Sequence, residues 1–489
     1  MIRERHLLAA PLFLLFLAAN ACQHNYFEEA IAREKDTEAP SIQGSEPATA
    51  ATIRRLETLR ITFSEPITAA ALGNFTLSGA GLGTLALSGV ESIDEKQVRL
   101  QFSGTMVDGP VAVQASGIKD KAGNELPATT IEFTSSAVPK WRYIGRAVST
   151  NTIITSSAPS LAADSQYLYA AINEIACVNT FNDISVVRYE FSTGIWSTVG
   201  NRCIAGNTST QNSINPHLLL HNGQLFVAFT DGSVYDGVDQ FVQVRVFRNN
   251  TWELMGGKIG ADTRNPYLAA DGDNIYVSLR DLNNGNRLAV YRNTITTPGG
   301  WSLMGTNGLS VGNTFRTSPL VLFNTEWYIG FRDGGSTAPA SKPSVLKWDG
   351  SSSWSTSWQI DTLAADNVNM LVTGSELWAI YQQGGTSQVA ATKFSAGSWS
   401  GAISSNLVTE GTPNYLSAGR AGSNTYVAYQ VGTSSACWVK QQNGTTWSSL
   451  GTSFNCGNPT MLLINSVVYV VFRDQDTGYM DRLSAAYFE

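Results

Sequence analysis

Charge is scarce in this 489-residue chain: Asp, Glu, Lys and Arg together make up 15% of it. The formal net charge is −7 and no stretch is dense in Lys or Arg, which argues against a nucleic-acid backbone as partner. Histidine is rarer still, with four in the whole chain. His6 and His24 lie near the start, and His217 and His221 lie four residues apart on one expected strand. At about 3.3 Å per residue these two stand roughly 13 Å apart, too far to share a metal. A zinc site and a histidine-based nucleophile triad are therefore disfavoured. Helical patterning is nearly absent, so no glycine loop opens a helix to cradle phosphate. No cofactor and no metal are expected. The apolar run Leu7–Ala19 is short for a membrane span, and Pro11 interrupts it.

What is abundant is glycine, at 44, and tryptophan, at 12, a strand-and-turn composition. A unit of about fifty residues recurs seven times between Trp141 and Glu489. Its aromatic anchors are Tyr169, Phe226, Tyr276, Tyr328, Trp378, Tyr426 and Tyr469. Its proline anchors are Pro159, Pro216, Pro266, Pro319, Pro413 and Pro459, with Val368 in the fifth copy. Trp196, Trp252, Trp301, Trp354, Trp399 and Trp447 close successive copies and are expected to pack between them. Each copy reads as four short antiparallel strands, which is one blade of a β-propeller. The last copy lacks its fourth strand, and Trp141-Arg-Tyr-Ile-Gly145 matches what is missing (compare Trp447-Ser-Ser-Leu-Gly451). The N-terminal strand is thus expected to close a seven-bladed ring and leave no open edge.

Residues 1–21 read as a signal peptide, with Arg3 and Arg5 before the apolar core and Ala19-Asn20-Ala21 before Cys22. LAANAC resembles a bacterial lipoprotein box, which implies a lipid on Cys22 and a membrane as partner. Ordinary cleavage leaving a free thiol is the alternative. Export implies an oxidising compartment. Cys177 and Cys203 fall in one repeat, Cys437 and Cys456 in another, so two disulfides within repeats use four of the five cysteines. Cys22 is the odd one, and acylation accounts for it. Residues 22–37 are polar and read as a tether.

Residues 38–136 alternate apolar and polar residues in several runs: Leu59, Ile61, Phe63; Val98, Leu100, Phe102; Val111, Val113. That predicts a half-buried antiparallel sandwich. Thr62–Ile67 (TFSEPI) and Asp120–Leu126 (DKAGNEL) sharpen it. Together they resemble the bacterial Ig-like module of S-layer-type proteins, which implies a spacer or adhesive stalk. Asp120 and Asn124 suggest calcium, but a tight turn at Gly123-Asn124 capped by Asp120 is the simpler reading. The expected fold class is all-β: an Ig-like β-sandwich over 38–136, then a seven-bladed β-propeller over 141–489.

The second strand of each repeat ends in polar residues, which symmetry puts at one end of the ring: Asn173-Glu174, Thr230-Asp231, Arg280-Asp281, Arg332-Asp333, Gln382, Gln430 and Arg473-Asp474. Arg264 and Arg316 reach the same end. The candidate binding residues are therefore Asp231, Arg264, Arg280, Asp281, Arg316, Arg332, Asp333, Arg473 and Asp474. Arginine forks suit an anionic glycan or protein partner; ion pairs tying blade to blade are the structural alternative. No catalytic residue stands out. The sialidase Asp-box (S-x-D-x-G-x-x-W) is absent, and so is a Phe-Arg-Ile-Pro stretch; the nearest runs are Phe331-Arg332-Asp333 and Phe472-Arg473-Asp474. The expected function is a monomeric, cell-envelope recognition protein anchored through Cys22 at the outer membrane or cell surface of a bacterium. A secreted glycan-active hydrolase and a purely structural envelope protein are the alternatives.

Overall fold

The computed structural model describes residues 36–53, 56–136, 141–153, 157–178, 181–205, 213–232, 240–314, 318–334, 341–355, 358–384, 388–401, 403–406, 411–432, 434–443 and 446–488. The signal segment, Cys22 and nearly all of the tether lie outside them, and so does Arg316. The chain forms two compact units, Met1–Pro139 and Lys140–Glu489, and both are built of strands.

The first unit is a sandwich of two four-stranded sheets. One runs Ile42–Glu46, Thr58–Phe63, Gln97–Ser103, Ala86–Ser92; the other runs Ala51–Ile53, Thr129–Ser135, Gly109–Ala115, Phe75–Ser78. The alternating residues enter one core: Leu59, Ile61, Val98, Leu100, Val111 and Val113 are fully buried. The expectation of a purely antiparallel sandwich needs one correction. Ala51–Ile53 pairs parallel to Thr129–Ser135, because the chain crosses from one sheet to the other after Glu46. The Asp120–Leu126 motif is a turn. Asp120 accepts from the Asn124 amide at 2.9 Å and from Asn124 Nδ2 at 2.7 Å. Burial pushes the Asp120 carboxyl up, but these bonds and those of Gly123 and Ala122 outweigh it and hold it below the usual range.

The second unit is a propeller-like succession of four-stranded antiparallel sheets. Sheet one holds Ser160–Ala163, Tyr167–Val178, Phe181–Glu190 and Ile195–Thr198; sheet two holds Ile214–His221, Gln224–Asp231, Phe241–Arg248 and Thr251–Leu254. Sheet three is Thr263–Asp271, Asn274–Asp281, Arg287–Thr294 and Ser302–Leu303. Sheet four is Leu320–Phe323, Glu326–Asp333, Lys342–Lys347 and Trp358–Gln359. In sheet five, built on Ala365–Thr373, Glu376–Gln383 and Gln388–Ser395, both Ser398–Trp399 and Ile403–Asn406 pair with the third strand. The last sheet has eight strands in two halves. Pro413–Ala421, Asn424–Val431, Ala436–Asn443 and Thr446–Ser449 form one half. Phe454–Ile464, Val467–Asp474 and Leu483–Phe488 form the other, and Trp141–Gly145 pairs onto Leu483–Phe488. Among the described residues no sheet closes on itself; the sheets pack face to face.

Second strands are apolar on both faces because both faces are covered. Leu225 through Asp231 are buried without a break. Their side chains fill seven clusters among the described residues, six shared by two consecutive sheets and one by the two halves of the last. One of them joins Val471, Leu483 and Ile144 of the last sheet to Leu168, Ala170 and Val187 of sheet one. At the periphery the tryptophans do more than pack. The indole N–H of Trp196 donates to the Ile144 carbonyl (2.9 Å), Trp252 to Val199 (2.8 Å), Trp301 to Met255 (3.1 Å) and Trp354 to Met304 (3.1 Å). Trp141 donates to Leu450 at 2.7 Å. Each acceptor stands three residues after the preceding tryptophan, so one motif supplies both halves of the contact. Trp354 itself precedes the regular outer strand and bridges Trp348.

Two further expectations are corrected. Both disulfides form, but Cys437–Cys456 ties the third strand of one half-sheet to the first strand of the next instead of staying in one repeat. The reason is that the first strand begins at Phe454, ahead of the Pro459 anchor. Cys177–Cys203 ties the second strand of sheet one to the connection leaving that sheet. Pro413 is likewise not the sixth anchor. It pairs with Val431, and Leu416 holds the place that Pro266 and Pro459 hold in their strands.

Candidate functional site

Consecutive strand residues face opposite ways, and the second-strand ends divide accordingly. In five of the second strands an acid stands at or near this end and fastens the neighbouring connections. Buried Glu174 accepts from Ser185 Oγ (2.6 Å), Arg202 Nη2 (3.1 Å) and the Asn151 amide (3.2 Å). Asp231 takes Ser213 Oγ and the Gly232 amide; Asp281 takes Asn307 Nδ2 at 2.8 Å and the Asn284 amide at 3.3 Å. Asp333 receives the Gly312 and Val311 amides at 2.7 and 3.3 Å. Asp474, fully buried, holds both nitrogens of the Arg146 fork and the Ser484 hydroxyl. Asp231, Asp281 and Asp474 thus turn their carboxylates into the fold, where they order connections between sheets.

The residue before the acid is a predicted arginine in three strands, Arg280, Arg332 and Arg473; the described bonds of Arg280 and Arg473, and of Arg264 on a first strand, stay within their own sheet. Arg280 donates through Nη2 and Nε to Asn286 Oδ1, at 2.6 and 3.1 Å. Burial draws its pKa down, the charge of cross-strand Arg264 adds to this, and Asp262 opposes it. Arg264 stands 3.9 Å from Asp262. Arg473 bonds Asp481 at 2.5 Å and lies across Gly457, where a Cβ would meet Nη2 at 2.7 Å. Arg332 differs. It pairs with Asp366 of the next sheet, bonds Ser341 Oγ at 2.7 Å and lines a central cavity.

That cavity has a volume of about 680 Å³ and is walled by the first strands near the same end of the sheets. Each repeat contributes: Ser160, His217 and Tyr267 from sheets one to three, and Arg332 from sheet four. Asn369, Ser417 and Thr460 come from the remaining three first strands. Bonds pass from strand to strand around it: Leu218 N–H to Ser160 Oγ, Leu268 N–H to His217 Nδ1, Asn369 Nδ2 to the Leu416 carbonyl, Met461 N–H to Ser417 Oγ. Thr460 Oγ1 then donates to the Pro159 carbonyl at 2.8 Å, linking the last first strand to sheet one.

The wall is shaped by a residue the sequence reading passed over. Asn215, Asn265, Asn367 and Asn458 have φ of 53°, 54°, 52° and 52°, and each sits in a register break of its first strand. Asparagine tolerates this left-handed conformation better than most residues, and a bulge here re-aims the side chains that follow. Tyr415, at 50°, takes the same place in the sixth copy. The recurring Asn-Pro pair was visible in the sequence; the proline was read and the asparagine was not. His217 stacks on Tyr267 with ring centroids 3.8 Å apart. Burial lowers its pKa to about 3, so the ring is neutral at neutral pH. Because Nδ1 accepts the Leu268 amide, the proton of the neutral ring sits on Nε2. No carboxylate is among the described residues lining the cavity.

Solved structures similar to the chain include polysaccharide lyase Uly1, with a TM-score of 0.47 and 11% identity, covering 70% of this chain and 91% of that one. The α-L-arabinanase of Penicillium chrysogenum complexed with arabinobiose has a TM-score of 0.41 and 12% identity, covering 72% and 98%. The β-propeller domain of the trilobed protease from Pyrococcus furiosus has 0.42 and 7%, covering 68% and 93%. At such scores and identities these likenesses carry no statement about activity. No curated protein matches the chain. Residues 36–135 match the bacterial Ig-like domain.

Proposed function

We propose that this is an exported bacterial recognition protein in which a seven-bladed β-propeller, preceded in the chain by an Ig-like module, binds a glycan in its central cavity. One observation carries the reading: all seven repeats place a residue on the same cavity. The blade count is supported by the seven shared clusters, and closure by the pairing of Trp141–Gly145 with Leu483–Phe488 and the Trp141 bond to Leu450. Export agrees with the Ig-like domain and with two disulfides. The membrane anchor remains Cys22, on the strength of LAANAC and the odd cysteine. Binding is favoured over hydrolysis because glycoside chemistry needs two facing carboxylates. The acids at the strand ends are spent on ordering connections, as Asp474 is by Arg146.

Two measurements test this. Cys22→Ser should move the protein from the detergent fraction to the soluble one; a mutant still in the membrane rejects the anchor. Asn369→Ala should weaken glycan capture by the full-length protein, whereas Arg280→Gln and Arg473→Gln should not, since of these three Asn369 alone lines the cavity. Equal loss in all three would return the site to the outer face.

A further inference from the structure

The lining of the central cavity specifies which glycan it takes. If the cavity is a glycan site, as proposed above, its chemistry selects among sugars. Charge comes first. Arg332 is the single charged side chain among the described lining residues, and Asp366 and Ser341 already engage it. An acidic sugar needs a cation not already matched by a carboxylate, because taking an anion out of water without one is costly. The wall does not offer it.

What it offers instead is amides, hydroxyls and rings. Asn369 donates through Nδ2 to the Asn367 and Leu416 carbonyls, which leaves Oδ1 as an acceptor on the wall. His217 presents Nε2–H as a donor, since Nδ1 is taken by Leu268. Ser157 is 5% exposed, lines the cavity, and its hydroxyl has no hydrogen-bond partner in the protein. A buried hydroxyl left unpaired costs free energy that a ligand hydroxyl recovers. Acceptor, donor and two-way hydroxyl are the set that sugar hydroxyls satisfy, because each of these also donates and accepts. Tyr267 and Tyr415 add ring surface for the apolar C–H faces of a sugar. The volume falls within the range for small-molecule sites, about 300–1,000 Å³.

We propose that the cavity binds an uncharged sugar unit, the end of a neutral glycan, through Ser157, His217, Tyr267 and Asn369. The recognition is by hydrogen bonds and ring contact, and it does not depend on salt.

The test uses the full-length protein with neutral hexose and pentose oligosaccharides in parallel with sialylated and uronate-containing ones, by calorimetry at about 50 and about 300 mM NaCl. The expected result is binding of a neutral oligosaccharide with Kd changing less than about twofold between the two salts, and weakening about tenfold in Tyr267→Leu, which removes the ring, and in Asn369→Ala. Unchanged melting temperatures show that both variants are folded. Preference for an acidic oligosaccharide, weakened by salt and abolished by Arg332→Gln, overturns the neutral-sugar assignment and leaves the glycan reading standing. Absence of binding to both sets, or binding indifferent to all three substitutions, overturns the glycan reading of the cavity itself.

Discussion

The Ig-like unit gathers its buried side chains, from Ile53 to Phe133, into one cluster between two sheets, whereas the repeated unit distributes its own among seven, each between consecutive sheets or half-sheets. In the first, every sheet has one covered face and one wet face, so Leu59, Ile61 and Phe63 alternate with polar neighbours. In the second, most sheets are covered on both faces, and Leu225 to Asp231 are buried in sequence. A one-core domain is complete without its termini being joined. A succession of shared cores draws in addition on the cluster between its last and first sheets. The same arrangement leaves a polar cavity where six first strands and Arg332 of sheet four meet.

The comparison can be broken most severely at the join. Deleting residues 141–145 should cost the repeated unit roughly 5 kcal/mol or more, the scale of losing one or two core aromatics. It strips Trp141 from Phe454 and Phe488 and leaves Leu483–Phe488 unpaired. Deleting residues 36–135 should leave its calorimetric transition unmoved. If both deletions melt like the parent, the units do not differ in this way.

A smaller effect is expected at the disulfide between half-sheets. Cys437→Ala with Cys456→Ala opens a loop of sequence separation 19. By the chain-entropy model this lowers stability by about 3 kcal/mol. The loss should fall on the repeated unit, and the Ig-like transition should be insensitive to reducing agent. A shift of both transitions on reduction would show that the units melt as one.

The smallest effect is in acid. The depressed pKa of His217, about 3 against an ordinary value near 6.5, means the unfolded chain takes up the proton first. Its contribution is present above about pH 6.5 and is lost as pH falls toward 3. His217→Gln should therefore flatten the pH dependence of the repeated unit over that window, by less than about 1.4 kcal/mol per pH unit, the ceiling for one proton. The Ig-like segment contains no histidine and should show no such component. A curve unaltered by the substitution would mean that the ring is wet and titrates normally.

Much of the fold was legible because it is written locally. Strand alternation, the recurring aromatic anchor and the orphaned outer strand at Trp141 each need only a short window of sequence. What was not legible lies between repeats. Nothing in the spacing told that the Trp252 indole finds the Val199 carbonyl, or that Cys456 already belongs to the next first strand. The predicted arginines shared one end of the sheets, but distance to a common centre depends on how each fork is held. Asn286 and Asp481 hold Arg280 and Arg473 in their own loops, and Arg332 alone among the described predicted residues lines the cavity. The asparagines that shape the wall were in plain view, and their role shows only once the backbone turns left-handed at them.

The tryptophan ladder has a direction, and direction implies an order of assembly. Trp252, Trp301 and Trp354 each reach back to a carbonyl that precedes them in the chain, so a chain delivered from its N-terminus finds each acceptor already in place. Trp141 is the exception. It arrives first, and its acceptor at Leu450 and its pairing strand Leu483–Phe488 arrive last. At synthesis rates of about 5–20 residues per second, the first strand waits tens of seconds for its partner. Until then both ends of the repeated unit present open strand edges. That interval is when the strand edges at Trp141–Gly145 and Leu483–Phe488 are exposed to pairing with a second copy of the chain.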